Sequence, residues 1–255
     1  MLRSFLLILV IVSTSACAKS TFVRSAPDYQ ATLQRSKLVL VLPPKVEVHT
    51  IDALGKKTKM YEYEDKLEVV ITNTIIDKLR EKNLNVRFLS RKEIHDMKLS
   101  HEIINLKDNF EDLTTDLYSS GPWKEEKAFA VDASIKGTSA IHQKLNADLI
   151  VMTDFSLSTK TSGAMATDLT KEILLGALSV MAGGRANIRD EPAEIARMKL
   201  ALIDASSGKL LWMHSVGKDD DMISTTIDSM SDSNKVDQER LNHLCDIAFK
   251  DLDPK

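Results

Sequence analysis

Few side chains in this sequence stand in patterns that could carry chemistry. The six histidines include no pair four residues apart with a glutamate beside them, and no cysteine cluster accompanies them, so a zinc site is not predicted. The run Asp219–Asp221 could attract a cation, but three adjacent carboxylates cannot all face one ion, which favours a solvated loop. The histidines are His49, His95, His101, His142, His214 and His243.

Nucleotide-binding and nucleophile motifs do not appear either. Gly183 and Gly184 are followed by Arg185 and Ala186, where a phosphate-binding loop has Lys and then Ser or Thr. The dinucleotide-binding fingerprint and the Gly-x-Ser-x-Gly elbow are also missing. We therefore expect no cofactor and no enzymatic activity, and a site assembled from scattered residues is the alternative.

The N-terminal segment assigns a chemical role to Cys17. Arg3 supplies a positive charge, and Phe5–Val12 is uninterrupted apolar sequence. A run of this length is too short to cross a bilayer core of about 30 Å, which requires roughly 20 helical residues. Its length, and the small residues Ser13–Ala16 before the cysteine, are typical of a cleaved secretory signal.

The small residues and the cysteine together resemble a bacterial lipobox, with Thr14 where leucine is usual. The resemblance implies that residues 1–16 are removed as a signal peptide and that Cys17 carries acyl chains such as palmitate. Two or more chains anchor a protein stably to the lipid bilayer. Ala18, rather than an aspartate, follows the cysteine, which in this class implies the periplasmic face of the outer membrane. An ordinary secretory signal, cut after Ala16 or Ala18, is the alternative.

Composition and charge limit the classes of molecule that this protein is expected to bind. The formal net charge of −3 and the absence of a Lys/Arg cluster argue against a nucleic-acid surface. If Cys17 is acylated, Cys245 is left without a partner for an intrachain disulfide. Apolar neighbours at helical spacing predict a buried Cys245, and an intermolecular disulfide is the alternative. These neighbours are Leu241, Leu244, Ala248 and Phe249.

The first part of the domain is predicted from polarity and prolines. Residues 18–36 are polar and mixed, so we predict a tether that reaches at most roughly 60 Å when extended. Lys37–Leu42 is a continuous apolar run, typical of a strand buried on both faces, and Pro43 and Pro44 end it. Val46–Ile51 alternates imperfectly between apolar and polar residues and predicts a further strand.

Helical periodicity and turn residues predict the remaining elements. The clearest helix carries Leu67, Ile71 and Ile75 on one face, and Ser90 with Glu93 forms a capping-box signature for the next helix. The other predicted elements are a strand at 86–89, a helical stripe over 94–118, a break at 119–122, a helix at 124–145, a strand at 148–152, a hairpin with strands at 195–203 and 209–216, and a helix at 236–252.

Strands that alternate with helices, followed by a hairpin, predict an α/β fold. Its expected form is a mixed β-sheet covered by helices on both faces, an αβα sandwich, with the antiparallel hairpin near the C-terminal end. The predicted organisation is a signal peptide at 1–16, a lipidated cysteine and tether at 17–36, and a periplasmic domain at 37–255.

An apolar segment at Ile173–Ala182 is too short to span a bilayer. Gly176, Ser179 and Gly183 lie at three- and four-residue spacing, which permits close approach between helices. One interpretation is a buried core helix. The other is a contact between protomers of a homo-oligomer, or with a membrane surface.

The predicted hairpin contains Asp204, Gly208 and Trp212. We expect Asp204 to cap the turn, Gly208 to close it and Trp212 to pack into the sheet. This spacing resembles the D-x-x-x-G-x-x-x-W hairpin of the curli-secretion lipoprotein (CsgG-like) family and of the amino-terminal domain of TolB. An opening apolar strand that ends in proline, and Ala147-Asp148 before a second apolar strand, match the same plan.

Two departures from that family bear on function. Thr153 stands where the family has glycine, and residues 156–193 lack the alternation of membrane-inserted pore hairpins. Small periplasmic lipoproteins that share the plan without pore hairpins match better. The resemblance implies a lipid-anchored accessory or assembly factor of a cell-envelope or secretion complex, acting through an envelope protein partner. The alternatives are a subunit of an outer-membrane secretion channel, and a ligand-binding or hydrolytic domain.

Overall fold

Within the described residues, eight strands form one mixed sheet with helices on both faces, which confirms the predicted α/β class. The computed structural model describes residues 23–119, 133–161, 194–216 and 238–252. The strands are β1 (Val23–Ser25), β2 (Val39–Val41), β3 (Lys45–Ile51), β4 (Lys57–Lys59), β5 (Val86–Phe88), β6 (Leu149–Lys160), β7 (Glu194–Asp204) and β8 (Leu210–Val216). The helices are α1 (Tyr29–Arg35), α2 (Tyr61–Glu81), α3 (Arg91–Asp96), α4 (Ser100–Ser119), α5 (Thr138–Leu145) and α6 (Gln238–Phe249).

Strand β6 is the centre of the sheet because other strands pair along both of its edges. β7 runs antiparallel to it on one side, while β2 and β3 lie end to end on the other side, both parallel to it. The order across the sheet is β1-β8-β7-β6-β2-β5, and β4 pairs with β3. The sheet is therefore parallel from β5 to β6 and antiparallel from β6 to β1.

The Pro43–Pro44 pair separates β2 from β3. Val41 is opposite Val151 and Lys45 is opposite Asp154, so the chain takes four steps beside three steps of β6. Proline has no N–H to donate, so it interrupts the ladder. After this interruption the chain resumes the same direction along β6, and Lys45 is the first residue to pair again.

The two faces of the sheet carry separate apolar layers. Helices α2 and α6 pack on one face, where Ile71, Trp212 and Cys245 are buried. Helices α3, α4 and α5 pack on the other face, over Ile150 and Met213. Burial of a large apolar side chain stabilises a fold by about 1.5–3 kcal/mol, so both layers contribute substantially. This arrangement is the predicted αβα sandwich.

Residues 23–35 form part of the fold, where the sequence predicts a tether. Strand β1 pairs with β8, with Val23 opposite His214, and Leu33 of α1 is 1% exposed in the core. Burial of these apolar side chains against the sheet stabilises the folded segment relative to an extended segment in water. The tether prediction for 17–36 is therefore wrong from Val23 onward.

Two predicted helices differ in extent from the observed ones. The stripe predicted over 94–118 is divided into α3 and α4 at Lys98, whose φ of 52° is incompatible with a continuous helix. In the helix predicted at 124–145, the described part becomes helical only at Thr138. The preceding Gly137 has a φ of 100° and occupies the N-cap position of α5. Both boundaries are set by single residues in the left-handed region.

The turn between β7 and β8 has the predicted chemistry. The Asp204 carboxylate accepts hydrogen bonds from the N–H groups of Ser206 (3.0 Å) and Ser207 (2.8 Å), and Gly208 has a φ of 73°. The N–H of Ile135 donates to the Gly208 carbonyl at 2.7 Å, so the segment before α5 packs directly on this turn. A Cβ at position 208 would lie 2.1 Å from the Ile135 carbonyl oxygen. Glycine is needed there for both conformation and space.

We expect Gly208→Ala to lower the free energy of unfolding by about 3 kcal/mol or more, because it combines left-handed strain with a backbone clash. Gly55→Ala is the matched control, since Gly55 has a φ of 79° but nothing within 4 Å of its Cβ position. That control should lose about 1 kcal/mol, the cost of the left-handed conformation alone. Urea unfolding midpoints measure both losses. Equal losses would contradict the packing of Ile135 on the turn.

Candidate functional site

A row of three charged residues crosses the sheet at its centre. Lys45 of β3 is opposite Asp154 of β6, and Asp154 is opposite Lys199 of β7. Residues directly opposite on neighbouring strands project from the same face of a sheet. On β6 this face is apolar up to Met152, which is 3% exposed. The charged row, defined as Lys45, Asp154 and Lys199, therefore begins where the apolar layer beneath α4 ends.

Helix α4 contributes polar side chains that meet this row. The Lys45 Nζ lies 2.7 Å from Glu111 Oε2, and the Lys199 Nζ donates to the Thr114 hydroxyl at 3.0 Å. Lys107 is one turn before Glu111 on the same side of the helix. These contacts tie α4 to strands β3 and β7 and hold the row against the helix.

A small crevice lies between α4 and the charged row. Its volume is about 10 Å³, roughly the space that one water molecule requires. Pockets that bind drug-sized ligands are typically about 300–1,000 Å³. The crevice can therefore hold a water molecule but not an organic substrate. It is lined by Leu42, Pro43, Lys45, Lys107, Phe110, Glu111, Met152, Thr153 and Asp154.

Burial perturbs two charged groups of this crevice in opposite directions. Desolvation raises the pKa of the Asp154 carboxyl, although the positive charges of Lys45 and Lys199 act against the rise. Desolvation also lowers the pKa of the Lys107 ammonium, and the charge of Arg91 adds to that effect. Within the described residues, neither group has a hydrogen bond or an ion pair within 4 Å. Such perturbed groups in a cleft mark a candidate functional site.

The sequence does not predict this site, because its residues come from four separate elements. Lys45, Lys107, Asp154 and Lys199 belong to no motif and have no fixed spacing. One local signal exists, since Asp154 is the first charged residue after the apolar start of β6. That signal identifies a change in the environment of the strand, but the pairing register is needed to identify the partners.

We expect Asp154→Asn to raise the free energy of unfolding at neutral pH, by on the order of 1 kcal/mol, because it removes a desolvated charge. Since the folded-state pKa of Asp154 is raised above its unfolded value near 3.8, the carboxyl is neutral in both states below that value. The charged carboxylate lowers the free energy of unfolding as the pH rises from the unfolded-state pKa through the folded-state pKa. The advantage of the variant should therefore shrink as the pH is lowered toward 3.8, which urea unfolding across pH would show.

The matched control for this measurement is Asp108→Asn. Asp108 is exposed on the same helix as Lys107, so its charge is solvated in both the folded and the unfolded states. The control should change stability by less than about 0.5 kcal/mol at every pH. An advantage of Asp154→Asn that persists undiminished in acid would contradict the assigned desolvation of Asp154.

The hairpin residues singled out in the sequence have structural roles. Asp204 caps the turn and Gly208 closes it, as described above. Trp212 is 1% exposed and packs in the layer beneath α6, where its ring meets the edge of His214 at a centroid distance of 6.0 Å. Cys245 is fully buried, as predicted, and burial raises the pKa of its thiol to about 12. None of these residues contacts the crevice.

Asp148 also acts structurally. Its carboxylate accepts hydrogen bonds from the N–H groups of Lys37 (2.6 Å) and Leu38 (2.9 Å). These bonds fix the start of β2 beside the start of β6. The Ala147-Asp148 unit noted in the sequence therefore aligns two central strands.

Several predicted features lie outside the described residues. Cys17 and the signal peptide at 1–16 are among them, as are the acidic run Asp219–Asp221 and the apolar segment at 173–182. The predicted contact residues Gly176, Ser179 and Gly183 are outside them as well.

Within the described ranges, no three His, Cys, Asp or Glu side chains converge to hold a metal ion. No helix in these ranges is long and apolar enough to cross a bilayer.

No protein-family model, curated protein or solved structure matches this chain. The resemblance to the CsgG-like and TolB amino-terminal plan thus stays a prediction that rests on the residues given for it.

Proposed function

We propose that this protein is a lipid-anchored envelope protein whose α/β domain stands close to the outer membrane and binds a protein partner through the charged row. The observation that carries the proposal is the position of β1. It is paired into the sheet edge at Val23, only six residues after the proposed lipidated Cys17.

The short connection limits how far the domain can stand from the bilayer. Six residues extend to at most about 20 Å. A tether that continued to residue 36, as predicted from the sequence, would reach roughly 60 Å from the membrane. β1 pairs with β8, and the N–H of Ala26 donates to the Leu211 carbonyl at 2.7 Å. Residues from Val23 onward therefore cannot extend as a tether. An acyl group on Cys17 would hold the sheet edge beside the membrane surface.

The candidate site supports a macromolecular partner over a small molecule. The crevice has room for about one water molecule, whereas Lys45 of the charged row and its neighbour Glu111 reach the surface. The side chains of Lys45 and Glu111 are 35% and 55% exposed, and Arg197, two residues before Lys199 on the same face of β7, is exposed. Fixed charges of both signs on a rigid sheet give specificity and orientation to a protein interface. We therefore assign partner binding to this face.

We expect Cys17→Ser to abolish incorporation of radiolabelled palmitate and to move the protein from the membrane to the soluble fraction of cells. Loss of the sulfur removes the acylation site, and without at least two chains stable anchoring fails. Cys245→Ala is the matched control, since that thiol is buried and should not accept lipid. Label retained by Cys17→Ser, or lost in Cys245→Ala, would rule out the assignment of Cys17.

A photo-crosslinking residue in place of Arg197 should yield a discrete adduct with an envelope protein in intact cells, because this position lies beside the charged row. The matched position is Asp77 on α2, whose side chain is 69% exposed on the opposite face of the sheet. It should yield no such adduct. The measurement is the mass shift and identity of the adducts. The same adducts at both positions, or none at Arg197, would count against partner binding on this face.

A further inference from the structure

The hairpin of β3 and β4 holds a large apolar side chain fully in solvent. Leu54 at its tip is 93% exposed. The turn is ordered, because the Asp52 carboxylate accepts hydrogen bonds from the N–H groups of Leu54 and Lys56, both at 2.9 Å. Gly55 completes the turn with a φ of 79°. The fold therefore presents Leu54 on a rigid projection.

Three lysines follow this tip along the chain, and Tyr61 lies at the base of the hairpin, where the N–H of Met60 donates to the Val48 carbonyl at 2.9 Å. Lys56, Lys57 and Lys59 are all exposed. The Lys59 ammonium is already paired, since it lies 3.5 Å from Glu64 Oε1 and 5.1 Å from the ring centroid of Tyr61. An exposed leucine beside the exposed Lys56 and Lys57 matches the interface of a bilayer with anionic lipids, where apolar side chains enter the headgroup region and lysines meet phosphates.

The strand directions relate this tip to the entry of the chain into β1. Strand β1 runs opposite to β3 and β6, so the chain enters β1 from the side toward which β3 and β6 run. Through the ladder Val23 is level with Thr153, and Ile51 is level with Lys160, seven residues further along β6. Seven strand residues span about 23 Å. Cys17 reaches at most about 20 Å from Val23, which is less than this span, so the hairpin tip and Cys17 meet one membrane surface when the strands are inclined to the bilayer normal.

We propose that the β3–β4 hairpin is a membrane-contact element: Leu54 enters the headgroup region of a bilayer that contains anionic phospholipid, and Lys56 and Lys57 pair with lipid phosphates. The orientation rests on the proposed acylation of Cys17. The affinity of the hairpin for lipid does not, so it is measured without an acyl chain.

The test uses residues 17–255 with Cys17→Ser, sedimented with vesicles of phosphatidylethanolamine and phosphatidylglycerol, or of phosphatidylcholine alone. Binding should require phosphatidylglycerol and weaken with added salt. Leu54→Ser should weaken it about tenfold, and Lys57→Gln about fivefold at low salt, the contribution of one lysine at an anionic surface.

Ile104→Ser is the matched control. Ile104 is 57% exposed on α4, outside the β3–β4 hairpin, so its replacement should leave vesicle binding unchanged. Circular dichroism checks that each variant is folded. Equal binding by Leu54→Ser and the parent, or an equal loss in Ile104→Ser, would overturn the proposal.

Sedimentation velocity without lipid distinguishes a second copy of this chain as the occupant. A dimer that Leu54→Ser converts to a monomer would overturn the membrane assignment. A monomer in both proteins is the expected result. Because no acyl chain is present, loss of vesicle binding refutes the hairpin contact alone, whereas the palmitate experiment on Cys17 tests the proposed function.

Discussion

Strand β6 is hydrogen-bonded along both edges, and every other layer of the fold depends on this pairing. Its first residues are apolar on both faces, so helices must cover both sides of the sheet to remove them from water. Leu149 and Val151 contact one layer, and Ile150 and Met152 contact the other. The start of the strand is held by Asp148, whose carboxylate binds the backbone of β2.

The environment changes halfway along β6, and the candidate site follows from that change. Beyond Met152, one face of the strand stays apolar through Phe155 and Leu157 beneath α2 and α6. The other face becomes polar at Asp154, where α4 contributes Lys107 to the same crevice. A charge placed at such a boundary is partly desolvated yet still reaches the surface. This accounts for the shifted pKa values and for the accessible row of charges.

The proposed membrane contacts depend on the directions of the outer strands. β1 runs opposite to β3, so the entry to β1 and the tip of the β3–β4 hairpin face the same way along the strands. A lipid on Cys17 would anchor the protein stably, and Leu54 on the same membrane surface would add a second, weaker attachment. The charged row would then face sideways along the membrane, available to a neighbouring protein.

Local features of the fold were readable from the sequence because they depend on neighbouring residues. The capping box of Ser90 and Glu93 is present, and the turn of Asp204 and Gly208 forms as its residues predict. The predicted α/β class and the burial of Cys245 follow from periodicity, which also acts over short distances.

Long-range pairing was decided only by the tertiary structure. Residues 23–35 look polar and mixed, and they fold because β8 offers an edge and the core accepts Leu33. Lys45, Asp154 and Lys199 meet because the register of β3, β6 and β7 aligns them, although they are far apart in the chain. Register reflects the summed packing of whole strands, so no short segment of sequence contains it. The chemistry assigned to Cys17 comes from local sequence, whereas the surface it would bring to the membrane is a product of the fold.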